Sequence, residues 1–396
     1  MLQAKTKEGR LVTLAKHTRI EIETWKETEQ FYCPACNEAV MIKAGRKMIP
    51  HFSHYSQHTC PSNEKTEGAY HEQGKLKLYE WLQSQKLNVQ LEIYLPDIQQ
   101  RPDLLVTIGN KTMAFEYQCA KISTDEIIKR SKGYRQAGIV PIWIIGANQF
   151  KRKNQHMLRL NPFTRHLIHQ FSSITTPTLF YFCPTTNKFI QFQHIIEMTP
   201  TKAIGTFTVH TLREMRFTSL FQTNPLPTQL IYTIWNKEKI LFRQKPPKRV
   251  ASGLTLKWQR WLYQKQTHPI YLPSIVYLPV KGQYRMKTPP WDWQSRLCID
   301  IIDPLPLHGV FSIDACYRLL RTVLFQSNTF PLRQQIEDPI RNYLDLLGGL
   351  MVIKQVGPEQ YQKRKSITFH SNIEQAIRAD QEVMKQLIKI KNKIQA

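Results

Sequence analysis

Residues 101–121 read RPDLLVTIGNKTMAFEYQCAK, and this stretch decides the fold of the central part of the chain. Two segments with alternating apolar side chains flank Gly109 and Asn110, both of which tolerate the positive φ of a two-residue hairpin turn. The turn sets the register, and counting outward from it places Asp103 directly opposite Glu116. The pattern therefore predicts a β-hairpin that carries two facing carboxylates.

The facing carboxylates indicate a metal site. Opposed side chains in such a pair lie about 5 Å apart, where two like charges destabilise a sheet unless something compensates them. We expect Mg²⁺ or Mn²⁺ to compensate them, with Gln118 as the remaining polar side chain on that face. A surface hairpin whose charges have no role is the alternative, but the opposite face is apolar and indicates a hairpin built into a sheet. The apolar residues of that face are Leu104, Val106, Met113 and Phe115.

Two ligand pairs upstream predict a zinc site. Cys33 and Cys36 form a CxxC motif, and His51 and His54 follow after a predicted strand, turn and strand. Two thiolates and two imidazoles can close a tetrahedral zinc site. Cys60 competes with His51 for the fourth position, so both alternatives stay open. A redox CxxC is disfavoured because the βαβ context of thioredoxin-like motifs is missing, and unliganded cysteines are the remaining alternative.

A predicted helix lies between the zinc motif and the hairpin. Glu67, His71 and Lys75 recur every four residues and therefore share one helical face. We expect Lys75 to contact DNA, while solvent-exposed residues without a role are the alternative for this face. Residues 89–95 then alternate between apolar and polar positions and predict the first strand of the sheet.

A second predicted helix follows the hairpin. The segment Ser123 to Glu126 matches a capping box. The helix behind it carries Lys129, Arg130 and Tyr134, which we expect to position DNA phosphates or simply to contact the DNA backbone. Residues 139–145 are continuously apolar, which is typical of a strand that is buried on both faces and parallel to its neighbour.

Composition limits the class of protein. The 396 residues exceed what one hydrophobic core usually serves, so two or three domains are expected. A net charge of +25 indicates a polyanionic partner, with nucleic acid favoured over an acidic membrane. No run of about 18 apolar residues and no signal peptide stand out, and seven scattered cysteines suit a reducing cytoplasm. We therefore expect a cytoplasmic protein that does not span a membrane.

The remaining sequence, residues 151–396, reads as a basic α+β region. Two strand candidates at 178–183 and 188–194 predict another hairpin, and a stiff, charged connector near 245–250 indicates a split into two subdomains. Basic residues interleaved with aromatic ones would suit single-stranded nucleic acid, although each aromatic is more often part of an ordinary core. No P-loop or GxGxxG motif stands out, so the sequence gives no support for an ATP-driven motor.

The order proline-aspartate, hairpin, glutamate-x-polar residue and helix resembles the PD-(D/E)xK nuclease core, and its surroundings resemble the competence protein CoiA family. The resemblance implies a zinc-ribbon-like module at 1–62, a restriction-endonuclease-like α/β core with a mixed sheet at 63–150, and the basic region behind it. It implies catalytic roles for Asp103, Glu116 and Glu67, with Glu72 as the substitute for Glu67. The family pattern has lysine where this chain has Gln118, so either a lysine from elsewhere substitutes for it or the chemistry is weakened or lost.

The resemblance implies a metal-dependent deoxyribonuclease with structural Zn²⁺ and catalytic Mg²⁺ or Mn²⁺. Its partners would be single-stranded or branched DNA and recombination proteins during natural transformation. The alternative is a recombination mediator that binds DNA through a nuclease fold which no longer cuts, and Gln118 favours this alternative.

Overall fold

The computed structural model describes residues 1–45, 49–55, 60, 68–172, 175–223, 228–246, 253–334 and 336–395. Its elements form an amino-terminal sheet, a large central sheet with helices on both faces, and a mostly helical carboxyl-terminal region. The mixed α/β class expected from the sequence is confirmed.

The amino-terminal unit contains β1 (Gln3–Lys5), β2 (Leu11–Thr13), α1 (Arg19–Thr28), β3 (Phe31–Tyr32), β4 (Ala39–Lys43) and β5 (His51–His54). Its strands form a five-stranded antiparallel sheet in the order β2-β1-β3-β4-β5. Helix α1 begins after Thr18, whose side chain forms a capping box with Glu21. The core contains Ala4, Phe31 and Phe52.

The central region contains α2 (Ala69–Ser84), β6 (Asn88–Leu91), β7 (Leu104–Ile108), β8 (Lys111–Gln118), α3 (Thr124–Gln136), β9 (Ile139–Gly146), β10 (Met157–Arg159), α4 (Pro162–His166), β11 (Leu179–Cys183), β12 (Lys188–Thr199) and β13 (Lys202–Thr211). Its strands form one eight-stranded sheet in the order β10-β13-β12-β11-β9-β8-β7-β6. The predicted hairpin is confirmed as β7 and β8, with Ile108 paired to Lys111. Gly109 takes the positive φ of the turn, at 58°.

Both faces of the hairpin are buried. The predicted apolar face packs in one core with residues of α2, such as Leu78 and Leu82. The other face, with Leu105 and Ala114, packs against Tyr134 of α3. The predicted parallel strand is also confirmed, because β9 pairs in parallel with β8 on one side and with β11 on the other.

The predicted boundary at residue 150 does not end the sheet. An apolar strand such as β9 needs a hydrogen-bonded neighbour at both edges, and β11 supplies the second one through pairs such as Phe180 with Ile144. The hairpin of β11 and β12 extends the sheet, and β13 and β10 follow. The sheet that starts at Asn88 therefore runs to Thr211.

The carboxyl-terminal region surrounds one hydrophobic core. Its elements are α5 (Thr228–Gln244), α6 (Leu254–Gln264), α7 (Pro290–Arg296), a π-helical continuation (Leu297–Ile302), β14 (Val310–Ser312), α8 (Ile313–Leu320), α9 (Pro339–Gly349), β15 (Ile353–Gly357), β16 (Gln360–Lys363) and α10 (Ile373–Gln395). The strands form a sheet in the order β14-β16-β15. Part of the predicted connector, residues 247–250, lies outside the described residues, but Trp235 before it and Trp258 after it share this core. Within the described part of the chain, the segments on the two sides of the connector therefore pack together in one core.

A buried ionic contact joins the central sheet to the carboxyl-terminal region. Arg165 of α4 donates to Glu197 of β12 at 2.8 Å and to the carbonyl oxygen of Tyr284 at 2.9 Å. Arg333 lies 4.0 Å from the same carboxylate and stacks on the Tyr284 ring at 3.8 Å. These contacts fix the two parts against each other. Among the described helices, none is long and apolar enough to cross a membrane.

Candidate active site and metal centre

Four side chains of the amino-terminal unit form a candidate metal centre. The ligand atoms of Cys33, Cys36, His54 and Cys60 all lie within 4.8 Å of one another. The Cys33 and Cys60 sulfurs are 3.8 Å apart, and the Cys36 sulfur is 3.3 Å from Nε2 of His54. Three thiols and one imidazole are a typical donor set for structural Zn²⁺, so these residues fit that ion.

The turn after β3 brings the side chains of the two cysteines of the CxxC motif close together. Asn37 adopts a positive φ of 59° and donates its N–H to the Cys33 carbonyl oxygen at 2.9 Å. Burial raises the pKa of the Cys36 thiol to about 12, so binding of an ion would release that proton.

Of the two alternatives for the fourth position, the structure places Cys60 and not His51 in the cluster. His51 and His54 are three residues apart on β5, and side chains at that spacing point to opposite faces of a strand. The Nδ1 atom of His51 instead lies 3.0 Å from the carbonyl oxygen of Ile49. The alternation of side chains along β5 therefore favours Cys60 over His51 as the fourth residue of the cluster.

Asp103 lies at the start of the hairpin against α2. Its Oδ2 accepts the N–H of Tyr117 at 2.7 Å, and its Oδ1 lies 3.4 Å from Nε2 of His71 and 3.6 Å from Nζ of Lys75. The carboxylate is buried, which by itself would raise its pKa, but the charges of His71 and Lys75 lower that pKa. Asp103 is therefore held as a carboxylate.

Glu92 is a site residue that the sequence did not reveal. Its carboxylate accepts from Nζ of Lys75 at 2.5 Å and from the N–H of Leu2 at 2.6 Å. The alternation at 89–95 predicted a strand in which Glu92 is an ordinary polar position. The strand instead ends at Leu91, and Glu92 adopts a positive φ of 49° that turns its side chain inward. Such a φ is uncommon outside glycine and marks a position held by its surroundings.

Glu116 lies at the same end of the hairpin but is held by α3. Its Oε1 accepts from Nη2 of Arg130 at 2.5 Å and from the hydroxyl of Tyr134. Arg130 also donates to the carbonyl oxygen of Arg101 at 3.1 Å. Lys75 and Arg130 therefore lie beside the two acidic side chains, so cations of the protein offset part of the negative charge that a metal ion was expected to compensate.

The other predicted site residues differ in how deeply they are buried. Lys75 and Tyr134, both expected to contact DNA, are buried beside carboxylates and so set the charge and hydrogen bonding of the site. Lys129 is exposed on α3, as a phosphate contact requires. Gln118 is half-buried and donates to the carbonyl oxygen of Ala120 at 2.7 Å. Glu67 lies outside the described residues.

The chemistry of the site follows from these contacts. Asp103 and Glu116 offer the oxygen donors that Mg²⁺ and Mn²⁺ prefer, although cations of the protein compete for them. Within the described ranges, the cysteine-rich cluster is the only set of three or more His, Cys, Asp or Glu ligand atoms that lie within 4.8 Å of one another.

Comparisons with known proteins agree with this division of the chain. Three family models match: "Competence protein CoiA, N-terminal domain" at residues 14–63, "Competence protein CoiA, nuclease-like domain" at 67–225 and "Competence protein CoiA, C-terminal domain" at 230–377. A curated relative, "Competence protein CoiA" of Bacillus subtilis (strain 168), is 29% identical over 338 residues, which cover 84% of this chain and 89% of the relative. No solved structure matches.

Proposed function

The chain belongs to the competence protein CoiA family, which supports a role in competence, and from this premise we propose that it is a metal-dependent nuclease that acts on incoming DNA. The single observation that carries the proposal is the position of Asp103 beside His71 and Lys75 in the nuclease-like domain. It is a buried, ionised carboxylate with a lysine next to it, at the end of a hairpin that also carries Glu116.

The proposed roles follow from the contacts of each residue. Asp103 and Glu116 would hold Mg²⁺ or Mn²⁺. When bound, the ion would lower the pKa of its water and stabilise charge on the phosphate. Lys75 supplies the positive charge that Gln118 lacks. Gln118 orients water, and Arg130 with Lys129 binds the DNA backbone near the site.

The charge of the chain bears on the substrate and the partners of the proposed nuclease. The excess of 55 basic over 30 acidic residues suits single-stranded or branched DNA as the substrate and recombination proteins acting on the same DNA as partners. The site of action would be the cytoplasm. Structural Zn²⁺ would be held by the four-residue cluster of the amino-terminal unit.

A cleavage panel tests the proposal. Wild-type protein, Asp103→Ala, Glu116→Ala and the control Asp125→Ala are incubated with single-stranded, duplex and branched DNA, with Mg²⁺ or Mn²⁺. We expect the wild type and the control, whose changed residue is exposed on α3, to cleave, and the two site variants to lose cleavage. DNA binding should persist in all four proteins and weaken as salt rises, because phosphate contacts release counterions.

A specific observation favours the mediator as the second candidate function. Lys75 and Arg130 already neutralise the two carboxylates, and Gln118 is uncharged. A protein of this kind would bind DNA and partner proteins without cutting. If the wild type cleaves none of the DNA forms with either metal ion, the mediator replaces the nuclease.

A further inference from the structure

Glu92 and Lys75 form a buried ion pair whose position suggests more than a structural role. The Nζ atom of Lys75 is 2.5 Å from Glu92 and 3.6 Å from Asp103, so one ammonium group joins the two carboxylates. Lys75 and Glu92 are 1% and 4% exposed. A lysine with four flexible bonds would have other rotamers without this contact, so the pair fixes where its charge lies.

We propose that Glu92 is a positioning residue of the candidate active site: it holds the Lys75 ammonium against Asp103, and the first residues of the amino-terminal unit close the site around it. This inference rests on the proposed nuclease function. It assigns a role to a carboxylate that lies outside the hairpin and the acidic pair.

Leu2 of the amino-terminal unit closes the site around Glu92 through one backbone hydrogen bond and one buried side chain. The N–H of Leu2 donates to Oε2 of Glu92 at 2.6 Å, while Oε1 accepts from Lys75. Leu2 is fully buried, and its side chain packs in the same core as Leu78 of α2 and Phe115 of the hairpin. Both oxygens of Glu92 thus have partners, one from the amino-terminal unit and one from α2.

The strained backbone at Glu92 supports this role. Glu92 has a positive φ of 49°, and its N–H donates to the carbonyl oxygen of Asp103 at 3.0 Å. Glu92 is therefore linked to Asp103 in two ways. Its main-chain N–H bonds to Asp103 directly, and its carboxylate acts on Asp103 through the Lys75 ammonium group. A buried carboxylate in an uncommon backbone conformation persists only where several contacts hold it, and such positions cluster at functional sites.

The test compares Glu92→Gln with Glu92→Asp and with the control Glu197→Gln. Glu197 is an equally buried carboxylate of the same sheet, paired with Arg165 at 2.8 Å and remote from the hairpin. Glu92→Gln keeps the shape but loses the charge that holds Lys75, so we expect kcat to fall about 10- to 100-fold with KM unchanged. Glu92→Asp should recover part of kcat, and Glu197→Gln should keep kcat near the wild-type value at temperatures below its own unfolding transition.

A double-mutant cycle with Lys75→Met adds a second readout. If Glu92 acts through Lys75, Glu92→Gln should reduce kcat little further in the Lys75→Met background. Thermal unfolding of the wild type, the two single variants and the double variant measures the contact between Glu92 and Lys75 independently of DNA cleavage. We expect the effects of the two substitutions on Tm to be non-additive.

The outcomes separate the two hypotheses. Cleavage by the wild type with equal kcat in Glu92→Gln and Glu197→Gln, or additive effects in the cycle, would overturn the positioning role and leave the nuclease in place. Absence of cleavage by the wild type would overturn the nuclease and this role with it, and the unfolding cycle would then report an ion pair that serves stability alone.

Discussion

At the residue scale, the chemistry of the candidate site depends on which side chains face inward. Asp103 and Glu116 carry the hairpin's acidic groups, yet Lys75, Glu92 and Arg130 determine their electrostatic surroundings. Breaking one partner of a buried ion pair leaves an uncompensated charge, which typically destabilises a protein by about 3–5 kcal/mol. Substitutions in this cluster must therefore be read with a stability measurement beside the activity.

The cluster of Cys33, Cys36, His54 and Cys60, which we propose binds zinc, gives a prediction that separates Cys60 from His51. Cys60→Ser should lose bound zinc, because it removes one of four clustered ligands, whereas His51→Ala should keep it, because His51 faces the other side of β5. Metal content of the purified full-length proteins, measured by mass spectrometry against protein concentration, checks this. Equal zinc in both variants would contradict the assignment.

A buried histidine gives a prediction about pH. His169 is 1% exposed and its Nε2 accepts the N–H of Trp143 at 2.9 Å, so it must be neutral in the folded protein. Burial, with Arg135 nearby, lowers the pKa of His169 from its ordinary value of 6.5 to about 3. Between these values the unfolded chain binds the extra proton, so stability falls as pH falls from 6.5 toward 3.

The variant His169→Gln keeps an acceptor for Trp143 but does not titrate. We expect the dependence of the unfolding free energy on pH, between about 4 and 6, to become shallower by up to about 1.4 kcal/mol per pH unit. Chemical denaturation at several pH values measures it. An unchanged slope would show that His169 does not provide the difference in proton binding.

At the element scale, the hairpin is the element on which the site is built. The turn and the two-residue period place Asp103 and Glu116 at the same end, and the apolar faces bury the hairpin between α2 and α3. The helices then supply different partners: α2 brings His71 and Lys75 to Asp103, and α3 brings Arg130 and Tyr134 to Glu116.

The turn gives a prediction about stability. Gly109→Ala should lower the unfolding free energy by about 1–2 kcal/mol, because Gly109 has a φ of 58° that an alanine Cβ disfavours. Gly348 is the matched control: it lies inside α9, has no atom within 4 Å of an added Cβ, and does not have a positive φ. Gly348→Ala should raise the unfolding free energy by about 0.5–1 kcal/mol.

Urea denaturation of both glycine variants measures these changes. Because each substitution adds one methyl group, opposite signs isolate the backbone conformation as the cause. A neutral Gly109→Ala would show that the turn tolerates a side chain and that the register has other determinants, such as the packing of Leu104 and Phe115.

At the scale of the whole molecule, a strand and several hydrogen bonds connect the proposed zinc cluster to the candidate active site. His54 and Phe52 lie on the same strand, the N–H of Phe52 donates to the carbonyl oxygen of Met1 at 2.8 Å, and the N–H of Leu2 donates to Glu92. A disturbance of the cluster can therefore reach Lys75 through one strand and three hydrogen bonds, the third of which joins Glu92 to Lys75.

This connection predicts that zinc loss impairs DNA cleavage. Cys33→Ser should lower kcat several-fold in the wild-type background and have little further effect in the Glu92→Gln background, because both changes act on Lys75. Cleavage assays of the full-length single and double variants, at a temperature where circular dichroism shows all of them folded, check this. Independent, multiplicative effects would show that the zinc unit contributes stability alone.

Several features were predictable from the sequence because they are local. The hairpin register follows from a two-residue turn and the period of a strand, as Ile108 and Lys111 show. The start of α3 follows from Ser123, whose side chain caps the helix. The CxxC motif likewise brings Cys33 and Cys36 together through one tight turn.

The tertiary structure decided the rest, because each remaining feature depends on elements far apart in the chain. Cys60 joins Cys33 only when the strands between them pair. Glu92 leaves the strand pattern because Leu2, ninety positions earlier, and Lys75 hold its two oxygens. The sheet passes residue 150 because β11 pairs with β9. Turn chemistry and side-chain period act over a few residues, whereas the burial of a charge depends on which distant groups approach it.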